Sequence, residues 1–251
     1  MERARLRRVM VTGGASGIGR ACVLLLVRQG ASVMALDVDA DSGATLEAEA
    51  AVGQKAEGGR LTFRRTDVSR EDDVRDAVAD ARTALGGLDA LVCTAGIMRG
   101  QGQAVGAFEA TTWDQVMDVN LKGTFLTVKH ASAPMLEQGR GVIVVVSSKA
   151  GVTTGSGSFA YGASKGGVHG LALTLERHLG PSGIRINEVC PGDVDTPLYR
   201  RSLQEALANG ADPAWVEAQL ARAVAPDSIA ELVAFLVSDA ATAVRGAILT
   251  A

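Results

Sequence analysis

The sequence predicts an α/β fold: one doubly wound parallel sheet of seven strands, with helices on both faces. Three observations carry this reading. Short runs rich in valine, isoleucine and leucine alternate along the chain with longer segments whose apolar residues recur at three and four. The short runs lack the polar alternation of a half-exposed sheet, so both faces must be covered by helices. A glycine-rich stretch, TGGASGIG at 12–19, stands where the first run passes into the first helical pattern.

In chain order the first strand is RVMVTG (8–13), followed by a helical pattern at 18–29 and a second strand, SVMALD (32–37). LTFRRTD (61–67) is the third strand, and 70–85 has helical spacing. LDALVCTAG (88–96) and GVIVVVSS (141–148) are the fourth and fifth, separated by a helical pattern at 112–138. A helix at 159–179 leads to GIRINEVCPG (183–192), and GAILT (246–250) closes the set. The rhythm breaks at 195–225, where PLYRRSLQEALANG and PAWVEAQLARAV insert two short helical patterns; a substrate lid is expected there. With no repeat or linker, residues 1–251 read as a single domain, long enough for a sizeable core.

Composition narrows the function classes. A net charge of −3 leaves no basic footprint for nucleic acid, and 47% hydrophobic residues suit a globular body. The 30 glycines exceed the usual share of about 7% and imply tight turns and close backbone approaches. Arg3, Arg5, Arg7 and Arg8 precede no apolar core of leader length and are read as solvating the entry to the first strand. Apolar runs such as VIVVV (142–146) fall far short of the ~20 residues that span a bilayer, so a soluble, cytoplasmic protein without membrane contact is expected. Cys22, Cys93 and Cys190 lie singly in apolar surroundings and read as buried thiols. His130, His169 and His178 show no metal-ligand spacing, so no metal is expected and surface or packing roles are.

Two motifs carry chemistry. In TGGASGIG the glycines Gly13, Gly17 and Gly19 allow a tight turn from strand to helix. The helix N-terminus behind them presents free N–H groups and partial positive charge to a pyrophosphate. Asp37, 18 positions past Gly19 at the end of the second strand, is placed to accept hydrogen bonds from adenosine ribose hydroxyls. In AYGASKGG (160–167), Tyr161 and Lys165 stand four apart on one helix face among small residues, a candidate acid/base pair.

Taken in order, TGGASGIG, Asp67-Val68, TAG at 94–96, Asn120, Ser148, YGASK and PGDVDTP resemble the short-chain dehydrogenase/reductase family over nearly the whole chain. The resemblance implies a one-domain Rossmann fold and a homotetramer or dimer. The implied reaction is oxidoreduction of a small secondary alcohol or ketone with a nicotinamide dinucleotide, taken here as NAD. It implies a catalytic tetrad of Asn120, Ser148, Tyr161 and Lys165, with Asn120 positioning a water that links Lys165 to solvent. The dinucleotide would lie on Gly13, Ser16, Gly17, Ile18, Gly19, Asp37, Asp67, Val68, Ala95, Gly96, Tyr161, Lys165, Pro191, Gly192, Val194 and Thr196. Tyr161 would be general acid/base, its pKa lowered by the Lys165 ammonium and the positive ring of the oxidised cofactor. Ser148 would hydrogen-bond the substrate oxygen. The small residues around Tyr161 would admit the cofactor and a neighbouring helix.

Ser16 and Val38 occupy positions where NADP-preferring relatives often carry a cation, and Arg20, a turn into the helix, is expected to point away. Pocket candidates are Met98, Lys149, Val152, Phe159, Pro191, Tyr199 and Trp215; Lys149 and Arg99 could anchor an acidic substrate but are read as solvated. Thr94 stands where the family usually has asparagine, which would loosen the sheet, and the chain ends in AILTA where relatives commonly continue with Asp-Gly-Gly. Two other readings share these motifs: an NADPH-dependent 3-oxoacyl thioester reductase and a non-catalytic dinucleotide binder.

Overall fold

The computed structural model describes residues 7–53 and 59–250. Arg3, Arg5 and the final Ala251 therefore lie outside the described residues. Seven parallel strands form one sheet: β1 (Arg8–Thr12), β2 (Ser32–Asp37), β3 (Leu61–Arg65), β4 (Ala90–Cys93), β5 (Gly141–Val146), β6 (Ile184–Cys190) and β7 (Gly246–Leu249). Their order is β3-β2-β1-β4-β5-β6-β7. The chain winds outward from β1 to β3, returns to β4, and winds outward again to β7. The switch between β1 and β4 opens a crevice at the carboxyl ends of the strands, where ligands of such sheets bind.

Alternation along each strand divides the core in two. Val9 and Val11 of β1, Val33 and Ala35 of β2 and Val142 and Val144 of β5 meet α1 (Gly17–Arg28), α2 (Ala40–Gly53) and α9 (Pro226–Val237). Met10, Leu36, Leu91, Ile143, Val145, Ile184 and Ile186 face the other way, onto α3 (Glu71–Leu85), α5 (Gly123–Gln138) and α6 (Phe159–Leu179). Helix α2 is absent from the elements read off the sequence. Its alanine-rich turns hold few large apolar residues, and the core takes Leu46 and Ala50.

Two other elements differ from expectation. The pattern at 112–138 folds as α4 (Ala110–Met117) running into α5 through a π-type turn, Asp118–Lys122. The strand expected at 88–96 pairs only over Ala90–Cys93, because Thr94–Gly96 turn away to edge the crevice. The inserted segment forms α7 (Pro197–Ala208) and α8 (Pro213–Arg222). Both begin with a capped proline turn: Thr196 Oγ1 accepts from Tyr199 N, and an Asp212 carboxylate oxygen accepts from Ala214 N. Arg7 and Arg8 are paired, which corrects their reading as simply solvated. Arg7 meets Asp239, while Arg8 donates to Asp89 from N, Nε and Nη2 at 3.0, 2.9 and 2.6 Å.

Candidate active site

The carboxyl ends of β1 to β6 surround a cleft of ≈ 1110 Å³. On its near wall the glycine loop is held by packing. Gly13 has φ +65°, and a Cβ there would come within 2.8 Å of the Ala95 backbone. A Cβ on Gly19 would sit 2.1 Å from the Gly13 carbonyl oxygen and 2.5 Å from Thr94 Oγ1. The loop thus rests against the turn after β4, and Ser16, Gly17 and Ile18 face the cleft. No side chain caps the amides at the start of α1. Asp37 is fixed beside them: Oδ2 accepts from Ala15 N at 3.1 Å and Oδ1 from Asp39 N at 3.2 Å.

Ser148, Tyr161 and Lys165 form the opposite wall. Ser158 caps α6: its Oγ donates to Arg99 O at 2.6 Å and accepts from Tyr161 N at 3.3 Å. Lys165, one turn later, places Nζ 5.7 Å from the Tyr161 ring centroid and donates to Val146 O at 2.8 Å. The small residues of AYGASKGG have a structural reason. A Cβ on Gly166 would come within 3.0 Å of Gly151 O, and one on Gly167 would meet Leu121 Cδ2 at 2.7 Å. The loop after β5 and the π-type turn could not approach α6 past larger side chains.

Electrostatics correct one expectation. Burial pushes the Tyr161 phenol up to about 12, against a smaller opposite pull from the Ser148 hydroxyl. Lysine proximity does not lower it in the protein alone, because both groups are withdrawn from water. The same burial pushes the Lys165 ammonium down to about 8, resisted by Glu188. In the resting protein Tyr161 is a neutral proton donor.

Asn120 is fully buried behind the cleft wall. Its Oδ1 accepts from Ile97 N at 2.8 Å, and its Nδ2 donates to Ile97 O and Ser164 Oγ, both at 2.9 Å. With both amide hydrogens spent, its side chain clamps the turn after β4 to α6. The Thr94 hydroxyl donates to Thr12 O and ties β4 to β1.

Every residue named for the dinucleotide lines the cleft, and so do Met98, Lys149, Pro191, Tyr199 and Trp215. Val152, Phe159 and Arg99 do not. Phe159 turns outward to stack edge-on against Phe108, with centroids 5.5 Å apart. Sequence reasoning missed Gln101, Asp193, Arg201 and Arg222, which also line the cleft. Asp193 lies inside PGDVDTP and could have been found there; the others come from segments without a motif. Cys22, Cys93 and Cys190 are buried and free. His130 meets Glu71, whereas His169 reaches a buried carboxylate, Glu188.

A doubly wound sheet with a glycine loop at its switch point and a Tyr/Lys pair across the cleft defines a dinucleotide-dependent oxidoreductase class. The family model for short chain dehydrogenase matches residues 7–206. A 2,5-dichloro-2,5-cyclohexadiene-1,4-diol dehydrogenase of Sphingobium indicum is 36% identical over 251 residues, covering 98% of this chain and 95% of that protein. A cis-4-hydroxycyclohexanecarboxylate dehydrogenase of Sinomonas cyclohexanicum is 38% identical over 243 residues, covering 97% and 94%. The crystal structure of levodione reductase superimposes with a TM-score of 0.89 at 30% identity, covering 98% of this chain and 96% of that one. The chain belongs to the short-chain dehydrogenase/reductase family, whose members use a nicotinamide dinucleotide. Among the described residues no helix is long and apolar enough to cross a membrane.

Proposed function

We propose that this protein is an NAD(H)-dependent dehydrogenase or ketone reductase acting on a secondary alcohol or ketone carried by a small ring. The observation that carries it is the facing of two walls in one cleft: the glycine loop with Asp37, and Ser148 with Tyr161 and Lys165. The names of the relatives above supply the ring.

The residues present fit a nicotinamide dinucleotide. Uncapped amides at the start of α1 face the cleft, and the carboxylate of Asp37 is pre-oriented by the loop itself. When bound, the dinucleotide supplies or accepts the hydride. The chain supplies the proton chemistry. Ser148 Oγ donates to the substrate oxygen, and the Tyr161 phenol gives that oxygen its proton in ketone reduction or takes it back in alcohol oxidation. Lys165 holds positive charge behind the phenol. Asn120 keeps α6 in register with the turn after β4.

Cofactor choice follows from charge. A 2′-phosphate at ~4 Å from Asp37, at an effective dielectric near 20, meets a repulsion of about 4 kcal/mol per charge pair, and a third of that is tenfold. Arg20 offers no relief, being paired with Glu49 on α2. Arg65, in register with Asp37, donates Nε to Val38 O at 3.2 Å. The expected kcat/KM on cyclic alcohols favours NAD(H) at least tenfold, and Asp37→Ala erases most of that ratio. Equal use of NADP(H) by the wild type would remove Asp37 from this role and support the thioester-reductase reading. Dinucleotide binding without turnover on any alcohol or ketone would favour the non-catalytic binder.

The segment 195–225 is proposed as a lid. Its ends are tied together, with Asp195 N donating to Val224 O and Val224 N to Asp193 O, both at 2.9 Å. Helix α7 rests on the turn after β4 through Asn209 Nδ2 to Gln101 O at 2.8 Å. Hydrogen exchange across α7 and α8 is expected to slow when cofactor and substrate are added. Equal protection with and without them would remove the lid. A homotetramer or dimer is also proposed, supported by the exposed apolar Phe125 and Leu173 on α5 and α6.

A further inference from the structure

Helix α8 has no buried residue. Its ends hold it in place: Asp212 Oδ1 accepts from Ala214 N at 2.9 Å, and two residues past Arg222 the Val224 amide donates to Asp193 O at 2.9 Å, beside Pro191-Gly192. Trp215, Gln219 and Arg222 follow one another at steps of four and three, which puts them on one face of the helix, and all three line the cleft. The indole of Trp215, 42% exposed, thus turns to the cleft instead of to a core. Charge is divided over the same lining. The wall read as the dinucleotide's carries the carboxylates Asp37, Asp39 and Asp67, whereas the loop after β5, α7 and α8 contribute Lys149, Arg201 and Arg222. Asp193 lines the cleft beside them, and no ion pair joins it to any of the three. Among the described residues none of these cations has an ion-pair partner or a side-chain hydrogen bond, although Arg200, next to Arg201, meets Asp195 through two bonds of 2.6 Å.

We propose that the substrate is an anion: its ring carries a carboxylate that Arg222 holds while Trp215 covers the ring, so that α8 selects acidic ring ketones and alcohols over neutral ones. An indole offers a flat apolar face to the body of a ring, and a guanidinium fork matches the two oxygens of a carboxylate. Arg222 takes this role because it shares its helix face with Trp215; Lys149 and Arg201 reach the cleft from other elements and add positive potential to it. The unpaired state of Arg222 leaves its donors available, so an arriving carboxylate breaks no existing ion pair.

The proposal deepens the reading of this cleft as that of a ring alcohol or ketone oxidoreductase, on which it rests, and binding tests it without turnover. Calorimetry on the protein saturated with NAD⁺ or NADP⁺, whichever binds tighter, compares cyclohexanecarboxylate with its methyl ester, which keeps the ring and removes the charge. The wild type is expected to bind the carboxylate at least about tenfold tighter, and Arg222→Gln to bring the two within about twofold. Arg222→Lys keeps the charge but not the fork, and its preference is expected to fall between those of the wild type and the glutamine variant. Trp215→Ala is expected to weaken both probes by about threefold or more. A wild type that binds the carboxylate no better than the ester, or binds neither, overturns the proposal, and so does a preference that survives Arg222→Gln. A loss of about tenfold in dinucleotide affinity in Arg222→Gln also overturns it, by assigning the guanidinium to the pyrophosphate. Unchanged binding of both probes in Trp215→Ala removes the tryptophan from the site. Turnover of 4-oxocyclohexanecarboxylate and of cyclohexanone, measured in parallel, separates the two readings. Preferential binding of the carboxylate without turnover of either ketone leaves the anion site standing and removes the oxidoreductase; turnover of cyclohexanone without any preference for the carboxylate does the reverse.

Discussion

Tyr161→Phe is expected to lower kcat by at least 100-fold while leaving dinucleotide affinity within about twofold. The substitution removes one oxygen and its proton from a side chain that is 8% exposed, and leaves the ring that packs beside Lys165 in place. A positioned acid or base contributes roughly 10²- to 10⁴-fold to rate. Burial keeps the phenol protonated near neutral pH, so it enters ketone reduction already carrying the proton it hands over. The checks are steady-state turnover on a cyclic ketone with NADH and fluorescence titration of NADH without substrate. Retention of more than about a tenth of the wild-type rate would show that Tyr161 is not the acid/base.

Lys165→Met is expected to have two opposite effects: loss of rate and cofactor affinity, each at least tenfold, and a more stable protein at pH 7. The gain comes from burial, which pushes the ammonium from its ordinary value of 10.5 down to about 8. Two to three pH units correspond to about 3 kcal/mol, and losing the hydrogen bond to Val146 O returns about 1–2 kcal/mol. A net gain of about 1–2 kcal/mol remains. The sign with pH follows from proton counting. Below pH 8 the lysine is protonated in both the folded and unfolded wild type, so the folded state carries the full penalty and the methionine variant shows its full advantage. Between about 8 and 10.5 the unfolded wild type still binds the proton while the folded one sheds it. Wild-type stability therefore rises with pH, and the advantage of the variant shrinks through this window. Urea unfolding of both proteins at pH 7 and pH 10 reads the change, and two stability curves that run parallel would show that the buried charge is not a burden. Such a site trades stability for function.

Short-range spacing was enough to read the fold. Strand and helix periods, the strand-to-helix position of TGGASGIG, and the four-residue step from Tyr161 to Lys165 are all local, and backbone geometry converts them directly into structure. Resemblance supplied the site residues, and the fold brings all of those named for the dinucleotide to one cleft. Helix α2 escaped because alanine carries little periodic signal. Val152 was misplaced because a loop residue has no period to say which way it faces, and Phe159, in the first turn of α6, because its partner Phe108 is 51 positions away in the sequence. Electrostatics belonged to the tertiary structure alone. Whether Tyr161 is a phenol or a phenolate, and whether Lys165 keeps its proton, depends on how much water the packing of α6 on β6 excludes and on a carboxylate 23 positions away in the sequence. The amide of Asn120 is spent on partners brought in from the turn after β4 and from α6. Desolvation and through-space charge are sums over neighbours in space, and the chain's order does not reveal those neighbours until it has folded.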